Sequence, residues 1–311
     1  MINAPIDIDR LFPIRKSRKQ KRVFREEVQK YAEALGYKTT VDKGSFGAHN
    51  VVIGNPKNAK YLITAHYDTC AWLPFPNLIT PSNVWTFLLY QLLILLVWYV
   101  SGVPLGFVVW LLTRSLELAG LTAYIFSWLF FIFMLFGPAN RHNSNDNTSG
   151  VVTVLEIARS LPENLRDKVC FVLFDLEESG LIGSSSYQSK HKKETKNQIV
   201  LNLDCVGDGD EIVFFPTKKL RKDPGLSAWL SGVCGKLGPK SIAIRKKGFA
   251  YYPSDQANFP FGVGICALRR SRWAGLYLSR IHTGRDTILE ETNVNILRAC
   301  LTTLVSSDAA K

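Results

Sequence analysis

KVCFVLFDLEES, residues 168–179, runs from an apolar stretch directly into acids. Between Lys168 and Phe174 only the first residue is charged and the rest are apolar, which predicts a strand buried on both faces, the kind found in central parallel sheets. The strand ends where Asp175, Glu177 and Glu178 begin. Open α/β sheets place their ligand sites at the C-terminal ends of strands, so this junction bears on both fold and site. Two other segments repeat it: Tyr61–Ala65 leads into His66-Tyr67-Asp68, and Gln198–Leu203 leads into Asp204.

Working outward, strand and helix patterns alternate. Phe24, Val28, Tyr31, Ala32 and Leu35 recur at helical spacing before Gly36, which predicts an amphipathic opening helix from Arg22. Short strands are expected at Lys38–Val41 and Asn50–Ile53, a helix from Gly150 to about Ser160, and another from Leu181 to about Lys190. Further strands are expected at Ile212–Phe215, Ser241–Arg245 and Val263–Leu268, with Ser227–Leu237 helical. Val294, Leu297, Leu301 and Leu304 mark a last helix. The alternation predicts an α/β/α sandwich with a mostly parallel central sheet. With 311 residues, the chain has room for one such domain, assembled from residues 1–69 and 141–311.

Residues 70–140 interrupt it. Arg114 and Glu117 are the only charges there, and three apolar runs fill the segment: Val84–Val100, Val103–Thr113 and Leu118–Phe136. A bilayer-spanning helix needs about 17–25 residues, so the first and third runs qualify. The middle run either lies at the far interface or extends the first span through a bend at Pro104. Trp72, Trp85, Trp98, Trp110 and Trp128, five of the seven tryptophans, fall in or beside the segment, as an interfacial aromatic belt requires. The alternative, a core or dimerisation arm of a soluble protein, leaves too much apolar surface to bury.

Net charge is +12. Arg10, Arg15, Lys16, Arg18, Lys19, Lys21, Arg22 and Arg25 cluster with no acid between Asp9 and Glu26. No nucleic-acid motif accompanies them, so no nucleic-acid partner is expected, and the cluster reads as a contact with an anionic leaflet or as a solvated N-terminus. MINAPIDIDR has no basic and apolar leader pattern, and the positive excess favours the inner side of a membrane. The expected setting is a multi-pass protein of the cell membrane with a cytoplasmic polar domain. Cys70, Cys170, Cys205, Cys234, Cys266 and Cys300 show no CxxC spacing and read as reduced, structural thiols. His49, His142 and His191 lie in polar segments and read as solvent-facing.

Five polar motifs remain: His66-Tyr67-Asp68, Asn145-Asp146-Asn147, Asp175-Leu176-Glu177-Glu178, Asn202-Leu203-Asp204 and His282-Thr283-Gly284-Arg285-Asp286-Thr287. Each alone is a common surface feature. Together, in this order, with the flanking text ITAHYDT, NDNTSGV, FDLEESGLIGS, LNLD, Ser254-Asp255-Gln256 and HTGRDT, they resemble the M28 family of co-catalytic zinc aminopeptidases over nearly all of the chain outside residues 70–140. The resemblance implies a zinc-exopeptidase-like sandwich and two Zn2+ ions. His66 and Asp204 would hold one ion, Glu178 and His282 the other, and Asp146 would bridge both, with Glu177 as the general base activating a metal-bridging water. It also implies a cis Asp146–Asn147 peptide.

Zinc takes imidazole and carboxylate donors while leaving positions open for water. Neighbouring side chains diverge, so Glu177 and Glu178 divide naturally into a base and a ligand. Asp68 would accept the second imidazole N–H of His66 and fix its orientation; Asp286 would do the same for His282, or would hold a loop. Two positions depart from the family pattern. Ile281 stands where relatives place an oxyanion-assisting tyrosine, leaving Tyr67, Tyr251 or Tyr252 as substitutes, and Gln256 stands where a histidine is common.

The expected function is a membrane-anchored di-zinc aminopeptidase acting on peptides. A glutaminyl cyclase-like enzyme of the same fold and a non-catalytic membrane adaptor are the alternatives, against which the complete ligand set argues. Because His66 and Asp146 must meet, the insertion crosses a bilayer an even number of times, and its anchors, Thr69–Ser82 and Gly137–Ser144, reach the rim of the cleft and hold it near the membrane.

Overall fold

The computed structural model describes residues 1–233, 235–237, 240–245 and 252–307; Tyr251 and Cys234 lie outside them. A short helix α1 (Asp7–Leu11) precedes α2 (Arg18–Ala34), whose first turn is closed by a reciprocal pair: Gln20 N donates to the Ser17 hydroxyl and Ser17 N to the Gln20 side chain. Phe24, Val28 and Ala32 bury its inner face, and Gly36, at φ 87°, follows its end. Then come β1 (Thr39–Lys43), β2 (His49–Ile53) and β3 (Tyr61–His66). Three apolar helices follow, α3 (Val84–Val100), α4 (Val103–Thr113) and α5 (Leu116–Phe136), before α6 (Gly150–Ser160) and β4 (Val169–Phe174). The remainder comprises α7 (Ile182–Lys190), α8 (Lys192–Thr195), β5 (Ile199–Leu203), β6 (Glu211–Pro216), α9 (Lys218–Lys222) and α10 (Pro224–Ser231). Last are β7 (Gly235–Leu237), β8 (Lys240–Ile244), β9 (Phe261–Ser271), β10 (Gly275–Tyr277) and α11 (Glu291–Ser307).

The strands form one sheet in the order β1-β2-β4-β3-β5-β9-β6-β8-β7, with β10 paired to β9. Its centre, β4-β3-β5-β9, is parallel. The margins are antiparallel except for β6 with β8, so the sheet is mixed rather than mostly parallel. The short β1–β2 and β9–β10 links permit only antiparallel neighbours, because a parallel pair needs a long crossover. One further expectation fails: the helix proposed for Ser227–Leu237 stops at Ser231, and Gly235–Leu237 is strand. Gly232 and Gly235 account for this, since glycine disfavours helix continuation.

Both faces of the sheet are covered. Tyr61, Ile63 and Ala65 of β3 join a large core with Phe24 and Val28 of α2, Val151 and Leu155 of α6, and Leu297 and Leu301 of α11. Leu62, pointing the other way, packs with Tyr187 of α7 and with Phe259.

The insertion is a helical hairpin. Val84–Thr113 and Leu116–Phe136 are each long and apolar enough to cross a membrane, and only a tenth of either window is buried. The Trp98 indole donates to Ser127 O, and Gly102 and Gly106 lie opposite Ala123 and Ala119. A Cβ at Gly102 would come within 1.9 Å of Ala123 O, so the two arms approach as closely as small residues allow. The middle run thus prolongs the first arm through a turn at Ser101–Gly102, and the second arm begins at Leu116, slightly before the expected Leu118.

The basic N-terminal cluster is only partly a surface. The Arg15 guanidinium is wholly buried and donates to Tyr67 O at 2.6 Å and to the Thr148 hydroxyl at 3.1 Å. Lys21 pairs with Asp175 at 2.7 Å, both buried. These two cations therefore belong to the interior, where a charge persists only with a partner. Lys21→Ala leaves the Asp175 carboxylate buried without its cation. It is expected to lower unfolding free energy by about 3–5 kcal/mol in urea titrations, against about 0–1 kcal/mol for an exposed pair.

Candidate metal centre

Three of the five motifs converge because three parallel strands end together. His66 closes β3 opposite Phe174 of β4, Glu177 and Glu178 lie just past β4, and Asp204 follows β5. Asp146 arrives on the loop before α6, and His282 on the loop after β10. Backbone conformation aims several of these groups: Leu176, Cys205 and His282 adopt φ of 55°, 55° and 62°, a region costly for residues with a Cβ and retained where surroundings enforce it. The Asp146–Asn147 peptide is cis, as the resemblance implied.

The carboxylate of Asp146 lies between two imidazoles. Its Oδ1 is 3.2 Å from His66 Nε2 and its Oδ2 is 3.1 Å from His282 Nε2. Asp204 Oδ1 is 3.6 Å from His66 Nε2, and Glu178 Oε2 is 3.3 Å from His282 Nε2. Glu177 Oε2 stands 4.0 Å from His66 Nε2. All five proposed ligands and the proposed base therefore meet in one buried cluster, with Asp204 on the His66 side, Glu178 on the His282 side and Asp146 between.

This arrangement fits bound cations. Burial pushes the Glu177 and Glu178 carboxyls well above the usual range, and the neighbouring carboxylates push them further. For both imidazoles burial favours the neutral form, yet the surrounding acids outweigh it and raise His66 and His282 above the ordinary histidine range. Burial likewise opposes the Asp146 charge, but hydrogen bonds from His282 and His66 hold that carboxyl far below its usual value. So many acids packed together and largely shielded from water favour bound positive charge. Glu178 Oε1 is also buried without a hydrogen-bond partner among the described residues. His66, Asp146 and Glu178 bring ligand atoms within 4.8 Å of one another, as do His66, Glu177 and Asp204.

The flanking residues explain the motif text. Asn145 Oδ1 accepts from Gly207 N and Asp208 N, and Asn147 accepts from Cys205 N while donating to Leu203 O, so the two asparagines tie the Asp146 loop to the Asp204 loop. A Cβ on Gly150 would lie 2.4 Å from both Asn147 Oδ1 and Leu203 O, which is why glycine follows NDNTS. Asp286 accepts from Asn145 N at 2.8 Å and Asp146 N at 3.0 Å, so it holds the loop rather than orienting His282. Asp68 Oδ1 stands 3.6 Å from His66 Nδ1, on the expected side, but Asp68 has closer partners. Its carboxylate accepts from Glu177 N at 3.0 Å and Glu178 N at 3.3 Å, while the nearest partner of His66 Nδ1 is the Asp68 carbonyl at 3.2 Å. Asp68 thus positions the glutamate pair, and its backbone orients the imidazole.

Of the tyrosines considered for the phenol missing at Ile281, Tyr67 turns away, its OH donating to His49 O, whereas Tyr252 lines the cavity with its OH donating to Asp204 O. Gln256 bonds Tyr252 O and Asn202 and has a structural place. His142 is exposed and His49 half-buried. His191, also half-buried, contacts Asp42, so it is not simply solvent-facing. Two cysteines were underestimated: Cys70 Sγ falls within reach of Glu178 and His282, and Cys205 Sγ within reach of Asp146 and Asp204. Burial raises both thiols well above the usual range, and the neighbouring carboxylates raise them further.

Residues 137–306 match the model of peptidase family M28. The chain belongs to that family. The matched range begins where α5 ends and includes Asp146, Glu177, Glu178, Asp204 and His282; His66 precedes it. Over 67 residues this M28 chain is 42% identical to aminopeptidase YwaD of Bacillus subtilis (strain 168), a match covering 21% of this chain and 15% of that protein. Among solved structures it resembles the LapA aminopeptidase of Legionella pneumophila, at 15% identity and a TM-score of 0.56, covering 96% of this chain and 66% of that one. It also resembles the glutaminyl cyclase of Porphyromonas gingivalis, at 17% identity and a TM-score of 0.59, covering 96% and 93%. These structural likenesses show the shared α/β fold.

Asp286→Asn removes one of the two acceptors that hold the Asp146 loop. It is expected to weaken zinc affinity by about 10–100-fold in competition titrations with a fluorescent chelator, without unfolding the chain. An unchanged affinity would contradict this role.

Proposed function

We propose that the chain is a membrane-anchored aminopeptidase with two zinc ions, one held by His66 and Asp204, the other by Glu178 and His282, with Asp146 shared. The observation that carries this reading is the Asp146 carboxylate, which offers one oxygen to each imidazole side of the cluster. A single-ion site has no need of a second imidazole and acid on the far side of the shared carboxylate.

Bound zinc supplies Lewis-acid charge that polarises a peptide carbonyl and acidifies water. Glu177 is the base. Its side chain stands beside the cluster, burial raises its affinity for a proton, and the Asp68 carboxylate fixes its backbone. It takes a proton from the attacking water and passes it to the departing amine nitrogen. Asp68 and Asp286 act by positioning the glutamate pair and the Asp146 loop.

The apolar hairpin supports anchoring. Its ends rejoin the sheet domain side by side, where Ala71 bridges Ala139 and Trp72 N donates to Pro138 O, which supports two crossings with the sheet domain on one face. The positive excess favours the cytoplasmic face.

A panel of aminoacyl chromogenic amides and glutaminyl peptides tests the chemistry. Wild type is expected to release N-terminal residues in a chelator-sensitive reaction, and Glu177→Gln to lose about 10²–10⁴-fold in kcat. Cyclisation of glutaminyl peptides without amide hydrolysis would point to a cyclase, and neither activity to an adaptor. Cell fractionation tests the anchor: the full-length chain is expected to stay with membranes through an alkaline carbonate wash and to enter solution only with detergent. Recovery in the soluble fraction without detergent would contradict the anchor.

A further inference from the structure

The cavity over the metal cluster, of about 450 Å³, is walled in part by the insertion. Leu135 and Phe136, the last residues of α5, line it together with Ile79 and Ile281. Leu135 is 46% exposed and Phe136 68% exposed, so they present apolar surface to open space rather than to a core. Gly137 N–H makes the last helical bond, to Phe133 O, and the helix stops there because Gly137, ahead of Pro138, turns to an extended ψ of −169°. The bridge between Ala71 and Ala139 then ties the helix end to the cavity rim. Toward the bilayer, Leu129, Ile132 and Phe133 of α5 are exposed as well, and no charged residue lies between Glu117 and Phe136. Exposed apolar side chains therefore follow α5 down to the cavity that also holds the proposed catalytic glutamate.

We propose that the substrates are peptides with an apolar N-terminal residue that are presented from the lipid bilayer, their amino ends entering the cavity across Leu135 and Phe136; this rests on the anchored-aminopeptidase reading above. An apolar first side chain is removed from water against Leu135, Phe136, Ile79 and Ile281, whereas a charged one gains no partner on that wall. A peptide whose body is held in the membrane reaches the cavity without leaving apolar surroundings, and the membrane concentrates it at the mouth.

The test uses the full-length chain in phospholipid nanodiscs with two peptides that share the same leucine-initiated N-terminal segment. One ends there. The other continues into a bilayer-spanning run of about 20 apolar residues. At equal total concentration the membrane-borne peptide is expected to lose its leucine at least about tenfold faster. On short soluble peptides, leucine is expected to exceed aspartate at the first position by about 10–200-fold, and the Leu135→Ser, Phe136→Ser double variant to bring that ratio toward unity. Both positions are exposed, so folding should survive the change. Hydrolysis of the soluble peptide as fast as the membrane-borne one, or a leucine preference unaltered in the serine variant, would overturn the proposal while leaving the aminopeptidase reading intact. No hydrolysis of any peptide by wild type would overturn the aminopeptidase reading and this proposal with it.

Discussion

The Asp146 carboxylate shared between His66 and His282 is the contact on which the rest of the structure turns. Its two oxygens lie within hydrogen-bonding reach of groups from opposite sides of the cluster, at the floor of the cavity. The surrounding protein spends several interactions on keeping it there: Asp286 accepts from its own N–H, and Asn145 and Asn147 lash its loop to the loop that carries Asp204. A displacement of an ångström would separate the two halves of the donor set. That sensitivity explains why so many buried side chains serve one carboxylate.

The same contact constrains the insertion. His66 precedes the hairpin and Asp146 follows it, so both ends of the segment must return to the cluster, and they do so as neighbours through Ala71 and Ala139. The hairpin is thereby more than an appendage. Its last turn becomes a wall of the cavity, and the elements that would fix the chain in a bilayer also shape what can approach the cluster.

Much of this was legible in the sequence because it is local. Near-continuous apolar runs marked β3, β4 and β5, and strand ends in a parallel sheet point to one edge, so His66, Glu178 and Asp204 could be placed together from the sequence alone. What escaped was nonlocal. Arg15 and Lys21 look like members of a solvated basic run, and partners far along the chain, Tyr67 O and the Thr148 hydroxyl for Arg15 and Asp175 for Lys21, account for their burial. The further partners of Asp68 were missed for a related reason: a carboxylate beside a histidine in sequence invites pairing with it, but two backbone N–H groups across the site lie closer. The antiparallel margins and the early end of α10 depended on short links and glycines that a periodicity argument passes over.

The central claim is that one carboxylate holds two ions. Counting zinc by native mass spectrometry on the full-length chain after metal reconstitution tests it most directly. Two ions per chain are expected for wild type, and at most one for Asp146→Ala. One ion on wild type, or two retained at unchanged affinity by the alanine variant, would contradict the account.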